Sequence, residues 1–305
     1  MTVVETWGSA PRPPGAMLAV RDDGVVSGSV SGGCVEDDLI ARIKAGEHVG
    51  SKPSMIAYGV TKDEAARFGL PCGGTLRLVQ EPLLDMSWTR ELLARTANHE
   101  LLARTLTLSS GAVVLRTATR SEAMAFDGLT LTTMFGPKWR LLLIGAGQLS
   151  QMVAQMAQML GFEVLVCDPR EEYAATLRMD NVSRVPGMPD DVVREMGADA
   201  HTAIVALTHD AKLDDMALME ALKSDAFYVG ALGSSRNQTT RKARLIEHFD
   251  MTAADFAKLH GPVGLRLGAK TPAEIAVSIV AEIVQVKNDL GNSLYKAPTQ
   301  EDCTL

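Results

Sequence analysis

A glycine-rich turn between an apolar strand and an amphipathic helix limits what this chain can fold into more than any other feature. The apolar run 141–144 leads directly into Gly145-Ala146-Gly147, and a helical pattern starts at Gln148. The first glycine allows a tight turn, and the second lets the backbone approach a pyrophosphate. Ser150 stands at the third position, where a small side chain lets the helix pack on the strand. The segment therefore predicts a phosphate-binding turn at the start of a parallel sheet.

Strand and helix patterns alternate from this turn towards the C-terminus. We predict strands at residues 140–144, 163–167, 183–185, 202–206 and 226–230, each followed by a helix. This alternation indicates βαβ crossovers and therefore an α/β domain of the Rossmann type, which we place at residues 138–305. Residues 1–137 mix short strands and helices with glycine- and proline-rich turns, which predicts a separate α+β domain, and residues 135–139 are interpreted as the linker.

An acidic residue follows the second of these strands. Asp168 stands where sheets of this type hold a ribose hydroxyl. The cofactor-binding residues predicted in this region are Gly145, Gly147, Gln148, Ser150 and Asp168. Two alternatives stay open. The glycines could serve the turn alone, and Asp168 could cap the tight turn that it starts.

Polar residues also follow the fourth and fifth strands, at the edge of the sheet where such folds bind ligands. The binding residues predicted in these two loops are Thr208, His209, Gly233, Ser234 and Arg236. The second loop could hold a phosphate through amides, hydroxyls and a guanidinium. Alternatively, Ser235 and Gln238 only cap a helix, and His209 is a hydrogen-bonding loop residue.

Two cysteines in the first half lie beside pairs of glycines. Cys34 follows Gly32-Gly33 at a predicted helix start, where the helix dipole lowers the pKa of a thiol. Cys72 precedes Gly73-Gly74 in a second tight turn. Thiolates bind soft metals, so Cys34 and Cys72 are the predicted metal ligands and cofactor contacts. Arg12, in a proline-rich loop, is suited to an anion or a flat ring. In the alternative interpretation, the cysteines fill turns and the loop of Arg12 is a surface turn.

Charge and hydropathy exclude several classes of function. The net charge of −7 argues against a nucleic-acid-binding protein, which needs a basic surface. No run of about 18 uncharged apolar residues is present, so we predict no membrane span. The first residues show no basic region followed by an apolar run, as a secretory signal would. We therefore expect a cytoplasmic protein with free thiols.

Several motifs, spread over nearly the whole chain, resemble the XdhC/CoxI family. They are Val4-Glu5-Thr6-Trp7-Gly8-Ser9-Ala10-Pro11-Arg12-Pro13, Gly28-Ser29-Val30-Ser31-Gly32-Gly33-Cys34-Val35-Glu36, Leu70-Pro71-Cys72-Gly73-Gly74, Val229-Gly230-Ala231-Leu232-Gly233-Ser234, Gly261-Pro262-Val263-Gly264-Leu265 and Gly268-Ala269-Lys270-Thr271-Pro272-Ala273-Glu274-Ile275-Ala276. Together these motifs are far more specific than the glycine turn alone.

The resemblance implies an accessory protein with no catalytic residues of its own. Such a protein binds molybdenum cofactor, as molybdopterin or molybdopterin cytosine dinucleotide. It protects the cofactor while a cysteine desulfurase sulfurates the metal, and it delivers the cofactor to an apo molybdenum hydroxylase. Family members often associate, so a homodimer is expected. Whether the chain catalyses a reaction stays open. The alternatives are an NAD(P)-dependent oxidoreductase with His209 as acid or base, and an interaction module whose Rossmann domain is vestigial.

Overall fold

The structure, a computed structural model, describes residues 1–7, 12–47, 50–59, 75–119, 122–174 and 179–292, with the backbone alone for Cys34, Ala174 and residues 290–292. The chain divides into two compact units, Met1–Pro137 and Lys138–Leu305. None of the helices in the described ranges is both long and apolar enough to cross a bilayer.

The first unit combines antiparallel sheets with helices. Its elements are β1 (Thr2–Thr6), β2 (Leu18–Val20), β3 (Val26–Gly28), α1 (Cys34–Lys44), β4 (Ser54–Tyr58), β5 (Leu76–Gln80), α2 (Ser87–Ala97), β6 (Leu102–Thr107), β7 (Val113–Thr117), β8 (Ala125–Phe126) and β9 (Thr130–Phe135). The strands form a sheet of order β1-β5-β4, the hairpin β2-β3 and a sheet of order β7-β6-β9-β8. Helix α1 packs Val35 and Leu39 against Val3 and Leu78 of the first sheet. The prediction of an α+β region is confirmed.

The end of this unit differs from the predicted linker. Phe135 is the last residue of β9, a strand that we did not predict, and it pairs with Leu102 of β6. Leu131 and Thr133 of β9 are buried, whereas the other residues of the strand are half-buried. The sequence does not show this alternation, because threonine occupies both half-buried and buried positions of the strand. The linker prediction is therefore wrong for Phe135.

The second unit is a parallel sheet with helices on both faces. Its elements are β10 (Arg140–Ile144), α3 (Gln148–Met159), β11 (Glu163–Cys167), α4 (Glu171–Ala174), β12 (Val182–Arg184), α5 (Pro189–Glu195), β13 (Thr202–Ala206), α6 (Ala211–Ala221), β14 (Tyr228–Ala231), α7 (Ser235–Phe249), the 3₁₀ turn Asp255–Lys258, β15 (Leu259–His260) and α8 (Pro272–Asn292). The strand order is β12-β11-β10-β13-β14-β15, and every described pair is parallel. This is the Rossmann arrangement, as predicted.

The central strand β10 explains why the glycine turn lies where it does. Leu141 and Leu143 point into the core that α3 and α8 cover, whereas Leu142 and Ile144 point into the core on the opposite face. All four side chains are fully buried, which fits the uninterrupted apolar run of a strand covered on both sides. The strand order reverses at β10, with β11 on one side and β13 on the other. Sheets of this type bind ligands at that switch point.

Candidate functional site

Gly145 and Thr208 meet at the switch point. Gly145 has φ +105°, a left-handed conformation that favours glycine, and an added Cβ would lie 2.9 Å from Cγ2 of Thr208. The first glycine of the turn is therefore required by both its backbone angle and the close approach of Thr208, which follows β13. Gly147 differs, because its φ is −70° and nothing lies within 4 Å of an added Cβ. The second glycine thus faces open space.

The start of α3 carries unpaired backbone donors. Gly147 is the N-cap of this helix, and it has no side chain that could cap the first turn. Among the described residues, no acceptor is found for the amides of Gly147, Gln148 and Leu149. Such amides, at the positive end of a twelve-residue helix, favour an anion. Gln148 is exposed beside them.

A cavity of about 370 Å³ opens at this helix start. It brings together the ends of several strands and the beginning of α8. Its lining residues are Gly147, Gln148, Leu149, Arg170, Tyr173, Leu207, Thr208, His209, Leu232, Pro272 and Ile275. The predicted residues Gly147, Gln148, Thr208 and His209 thus share one cavity, which we call the α3 cavity.

Asp168 has no free acceptor position in this site. Its Oδ1 accepts from Nε and the backbone amide of Arg170, and its Oδ2 accepts from Nη2 of Arg170 and from the amide of Ala146. The Asp168 side chain is 0% exposed. Burial opposes its charge, but the hydrogen bonds from Arg170 and Ala146 outweigh burial and lower the pKa of Asp168. A carboxylate offers about four acceptor positions, so none is left for a ribose hydroxyl in this conformation.

Arg170 is presented to the α3 cavity by this pairing. Its Nε and Nη2 are held by Asp168, and its guanidinium carbon lies 4.0 Å from the centre of the Tyr173 ring. Its Nη1 has no partner among the described residues. The guanidinium is therefore fixed on two sides and keeps donors for an anion at the start of α3.

Ser150 lies outside this cavity. Its side chain is fully buried, and its hydroxyl has no hydrogen-bond partner in the described part of the chain. This is the position at which the helix packs closely on the sheet. Ser150 therefore does not line the α3 cavity, and its contact with a cofactor stays a prediction.

A second cavity, of about 320 Å³, lies between the loops that follow β13 and β14. Thr208, His209 and Gly233 line it, together with the charged residues Asp214 and Arg241. Asp214 accepts from the hydroxyl of Thr208 at 2.7 Å and from Nη2 of Arg241 at 2.9 Å. Burial raises the pKa of Asp214 to about 6, against the effect of these hydrogen bonds.

Arg241 joins the two loops through this network. Its Nε donates to Asp215 at 3.1 Å, and its Nη1 donates to the carbonyl of Leu232 and to Oε1 of Gln238. The amide of Gln238 in turn donates to the carbonyl of Leu232. Thr208 after β13 and Leu232 after β14 are therefore held by one set of buried charges.

Ser234 and Arg236 line neither this second cavity nor the α3 cavity. The hydroxyl of Ser234 accepts from the amide of Asn237 at 3.2 Å and so caps α7. Arg236 is exposed, and its guanidinium has no partner among the described residues. The structure thus brings Gly233 to a cavity but leaves the next two predicted residues at the helix start.

In the first unit, Glu36 organises the glycine loop before Cys34. Its Oε1 accepts from the amides of Val30, Ser31 and Gly32, and its Oε2 accepts from the amide of Gly33 at 2.8 Å. The hydroxyls of Ser29 and Ser31 also donate to this carboxylate. Burial alone would raise the pKa of Glu36, but these hydrogen bonds lower it well below its usual range. The carboxylate of Glu36 is therefore negatively charged at neutral pH and holds the loop through these hydrogen bonds.

Arg12 joins the same loop. Its Nε donates to the hydroxyl of Ser29 at 3.3 Å. Cys34 is the first residue of α1, but its side chain and the whole of Cys72 lie outside what the structure describes. Within the described residues, no group of three or more His, Cys, Asp and Glu side chains is placed to hold a metal ion. The metal-binding role of the two cysteines stays a prediction.

Both halves of the chain match models of one protein family. A model of the XdhC Rossmann domain matches residues 141–283, and a model of the XdhC and CoxI family matches residues 1–58. The molybdenum cofactor insertion chaperone PaoD of Escherichia coli is 30% identical over 291 residues, which span 94% of this chain and 82% of that protein. The chain belongs to the XdhC and CoxI family.

Two further relatives of this XdhC-family chain match over most of their length. A protein of Bacillus subtilis, described as a probable xanthine dehydrogenase subunit, is 29% identical over 321 residues, which span 94% of this chain and 92% of that protein. A crystal structure described as a xanthine dehydrogenase from Bacillus halodurans shares 25% identity and superimposes with a TM-score of 0.74, covering 98% of this chain and 93% of that one.

Three charged residues of this XdhC-family chain were missed as members of the site. Arg170 lies two positions after Asp168, so its pairing could have been suspected from the turn itself. Asp214 and Arg241 occupy buried positions of α6 and α7. A charge at a helix position that faces the core is a signal for a buried partner. The sequence alone does not say which partner that is.

Proposed function

We propose that this chain is an accessory protein that binds molybdenum cofactor and passes it to an apo molybdenum hydroxylase. The similarity to an insertion chaperone and to a probable xanthine dehydrogenase subunit supports an accessory role for the family. The observation that carries the proposal in this chain is the α3 cavity. There, unpaired amides at a helix start face the same space as a fixed guanidinium.

The phosphate end of the cofactor fits these residues. The amides of Gly147, Gln148 and Leu149 would donate to phosphate oxygens, and Nη1 of Arg170 would add a charged donor. The open space at Gly147 leaves room for the phosphate to approach the backbone. When bound, the cofactor would supply its metal and dithiolene sulfur, whereas these residues bind and orient it.

The other assignments extend the family resemblance. Cys34 and Cys72 would contact the metal or its sulfur, and Arg12 would support the loop of Cys34 through Ser29. The chain would protect the cofactor during sulfuration by a cysteine desulfurase, and it would act in the cytoplasm as a homodimer. It would contribute no catalytic residue. Thr208, His209 and Gly233 would contact the part of the ligand beyond the phosphate.

An NAD(P)-dependent oxidoreductase is supported less well. That function needs an acid at the end of β11 that is free to accept from a ribose, and Asp168 has all its acceptor positions filled. His209, the acid or base in that alternative, is exposed and has no hydrogen-bond partner among the described residues to orient it. We therefore retain the chaperone as the proposed function.

Cofactor retention tests the proposal directly. The chain is purified by gel filtration from a host that makes molybdenum cofactor, and bound pterin and molybdenum are quantified per chain. We expect retention by the wild type and a loss of about tenfold or more in Arg170→Met, since a hydrogen bond to a charged group contributes about 1.5–3 kcal/mol. The matched control is Arg194→Met, which removes an arginine that is 55% exposed and pairs on the surface. If the wild type retains no pterin, the proposal is wrong.

A further inference from the structure

A groove of about 800 Å³ in the first unit is lined by β2 and by the segment that joins β5 to α2. Most of its lining is apolar, with Met17 and Val20 contributed by one part of the chain, Ile43 by α1, and Leu83 and Leu84 by the joining segment. Leu84 is 78% exposed at the edge of the groove. A concave apolar surface of this size is typical of a binding site when a few polar groups converge in it.

A buried arginine with unused donors lies in this groove. The Arg104 side chain is 3% exposed, and in the described part of the chain only its Nη2 has a hydrogen-bond partner, the carboxylate of Glu81. Its Nε is buried without a partner. The guanidinium carbon lies 4.0 Å from the centre of the Trp88 ring, which covers one of its faces. Because a buried donor without an acceptor is unfavourable, the site is completed by a ligand that brings further acceptors.

Glu81 indicates which acceptor this guanidinium takes. Its carboxylate contacts one nitrogen of Arg104, and its side chain is 15% exposed beside the joining segment. A carboxylate placed for two parallel hydrogen bonds satisfies more donors than this single contact does. A ligand carboxylate therefore competes with Glu81, which has a path to solvent. Asp22, the other acid of the lining, is exposed, so water screens its charge.

A second buried polar side chain lines the groove without a partner. Gln80 is the last residue of β5 and is 7% exposed, yet its side-chain amide makes no hydrogen bond to any residue that the structure describes. A side-chain amide both donates and accepts, as each peptide group does. A fatty acid would satisfy Arg104 and leave Gln80 unpaired, whereas a peptide would satisfy both. The two unused polar groups together favour a peptide.

We propose that this groove binds the C-terminal end of a protein partner that has apolar last residues and a free carboxylate. The carboxylate binds Arg104 in place of Glu81, and a peptide group of the partner pairs with Gln80. The apolar side chains of the partner pack against Leu83 and Leu84. Capture of a terminal carboxylate is a recurring mode of peptide recognition. The groove shares no lining residue with the α3 cavity, so this binding is a function beyond that of the proposed cofactor site.

Calorimetric titration of the full chain with three probes tests the assignment. The first probe is a five-residue peptide of alanine, valine and leucine, acetylated at its N-terminus and with a free C-terminal carboxylate. The second is the same peptide with a C-terminal amide, and the third is decanoate. We expect the carboxylate peptide to bind at least about tenfold more tightly than its amide, which loses hydrogen bonds between charged groups. It should also bind more tightly than decanoate, which has no peptide group for Gln80.

Glu81→Gln tests the competition between Glu81 and the ligand. Removing the internal carboxylate should raise the affinity for the carboxylate peptide at least about threefold and leave that for the amide peptide unchanged. The matched control is Glu91→Gln, at an exposed carboxyl that pairs with Arg95 on the surface and should change neither affinity. Arg104→Met is made together with Glu81→Gln, so that no unpaired charge is left buried. This double variant should bind the two peptides equally.

Two further variants test the remaining contacts. Gln80→Met should lower the affinity for the carboxylate peptide to that for decanoate, and Leu84→Ala should lower it about fivefold or more. Leu93→Ala, at a leucine of α2 that is 67% exposed and outside the groove, is the control and should have no effect. The proposal is overturned if the wild type binds neither peptide or binds both equally, or if Glu81→Gln gives no gain. Decanoate that binds as tightly as the carboxylate peptide would overturn the assignment to a peptide.

Discussion

Arg170 and Asp168 form a two-point ion pair at the end of β11, with Nε to Oδ1 and Nη2 to Oδ2 distances both of 2.8 Å. The pair fills the acceptor positions that a ribose would need, and the guanidinium of Arg170 lines the α3 cavity with its Nη1 unpaired among the described residues. This end of the strand therefore presents a cation to a ligand, where the sequence had suggested a carboxylate.

Arg170→Met should lower the free energy of unfolding at pH 7 by about 1–3 kcal/mol, because it leaves a buried carboxylate with fewer donors. The folded-state pKa of Asp168 is lowered. Its contribution to stability is therefore present above the pKa of the unfolded chain, about 4, and lost as the pH falls through the folded value. Urea unfolding at pH 7, 4 and 3 should show the difference from wild type shrinking with acid. Arg194→Met, at the surface, should cost less than about 1 kcal/mol at every pH.

The two glycines of the turn should behave differently when alanine replaces them. Gly145→Ala places a Cβ 2.9 Å from Thr208 at φ +105°, so we expect a loss of about 1–3 kcal/mol of stability. Gly147→Ala meets nothing within 4 Å and should leave urea unfolding within about 0.5 kcal/mol of wild type. Its methyl group should instead weaken pyrophosphate binding measured by calorimetry. Equal stability losses in the two variants would contradict this division of roles.

Those two glycines also show what the sequence could predict. The bounds of β10 and β11 were predicted to the residue, because each strand is a short apolar run that ends at a turn. The glycine turn followed from the succession of strand, turn and helix. In contrast, β15 has two residues and β8 has two residues, and such lengths are too short for any hydrophobic period to show.

The partners of the buried charges in the site could not be predicted from sequence patterns, for a different reason. Asp214 and Arg241 are paired across 27 positions of the chain, and only the packing of α6 and α7 brings them together. Glu36 is four positions from Gly32, yet its contacts depend on positive φ at both Gly32 and Gly33. A glycine pair predicts a turn, but it does not reveal which side chain fills that turn.

Asp214→Asn should flatten the pH dependence of stability between pH 4 and 6. The pKa of Asp214 is raised to about 6 in the folded chain. For an acid shifted in this direction, the folded chain binds the proton more tightly, so its contribution to stability is present below about pH 4 and lost as the pH rises through 6. The measurement is the difference in urea unfolding between variant and wild type at pH 4, 5, 6 and 7. A difference that stays constant over this range would show that Asp214 is ionised throughout.

Glu36→Gln should destabilise the loop before Cys34 by about 2–4 kcal/mol, since an amide has one acceptor oxygen where the carboxylate serves four amides and two hydroxyls. Hydrogen exchange of the amides of residues 30–33 should accelerate in this variant. The matched control is Asp37→Asn, at the next and exposed position of α1, which should leave these amides protected. The lowered pKa of Glu36 means that wild-type protection persists at neutral pH and decreases only in strong acid.

Cys34→Ala and Cys72→Ala test the predicted metal contacts. If the thiols approach the metal or its sulfur, each variant should retain less molybdenum per pterin than wild type, because a thiolate is the ligand that a soft metal prefers. Folding should survive, with an unfolding midpoint close to that of wild type. Cys303→Ala, near the C-terminus of the sequence, is the control and should retain wild-type molybdenum. Retention that is unchanged in both test variants would assign the two cysteines to their turns alone, and the cofactor would then be held by the phosphate contacts of Arg170 and the start of α3.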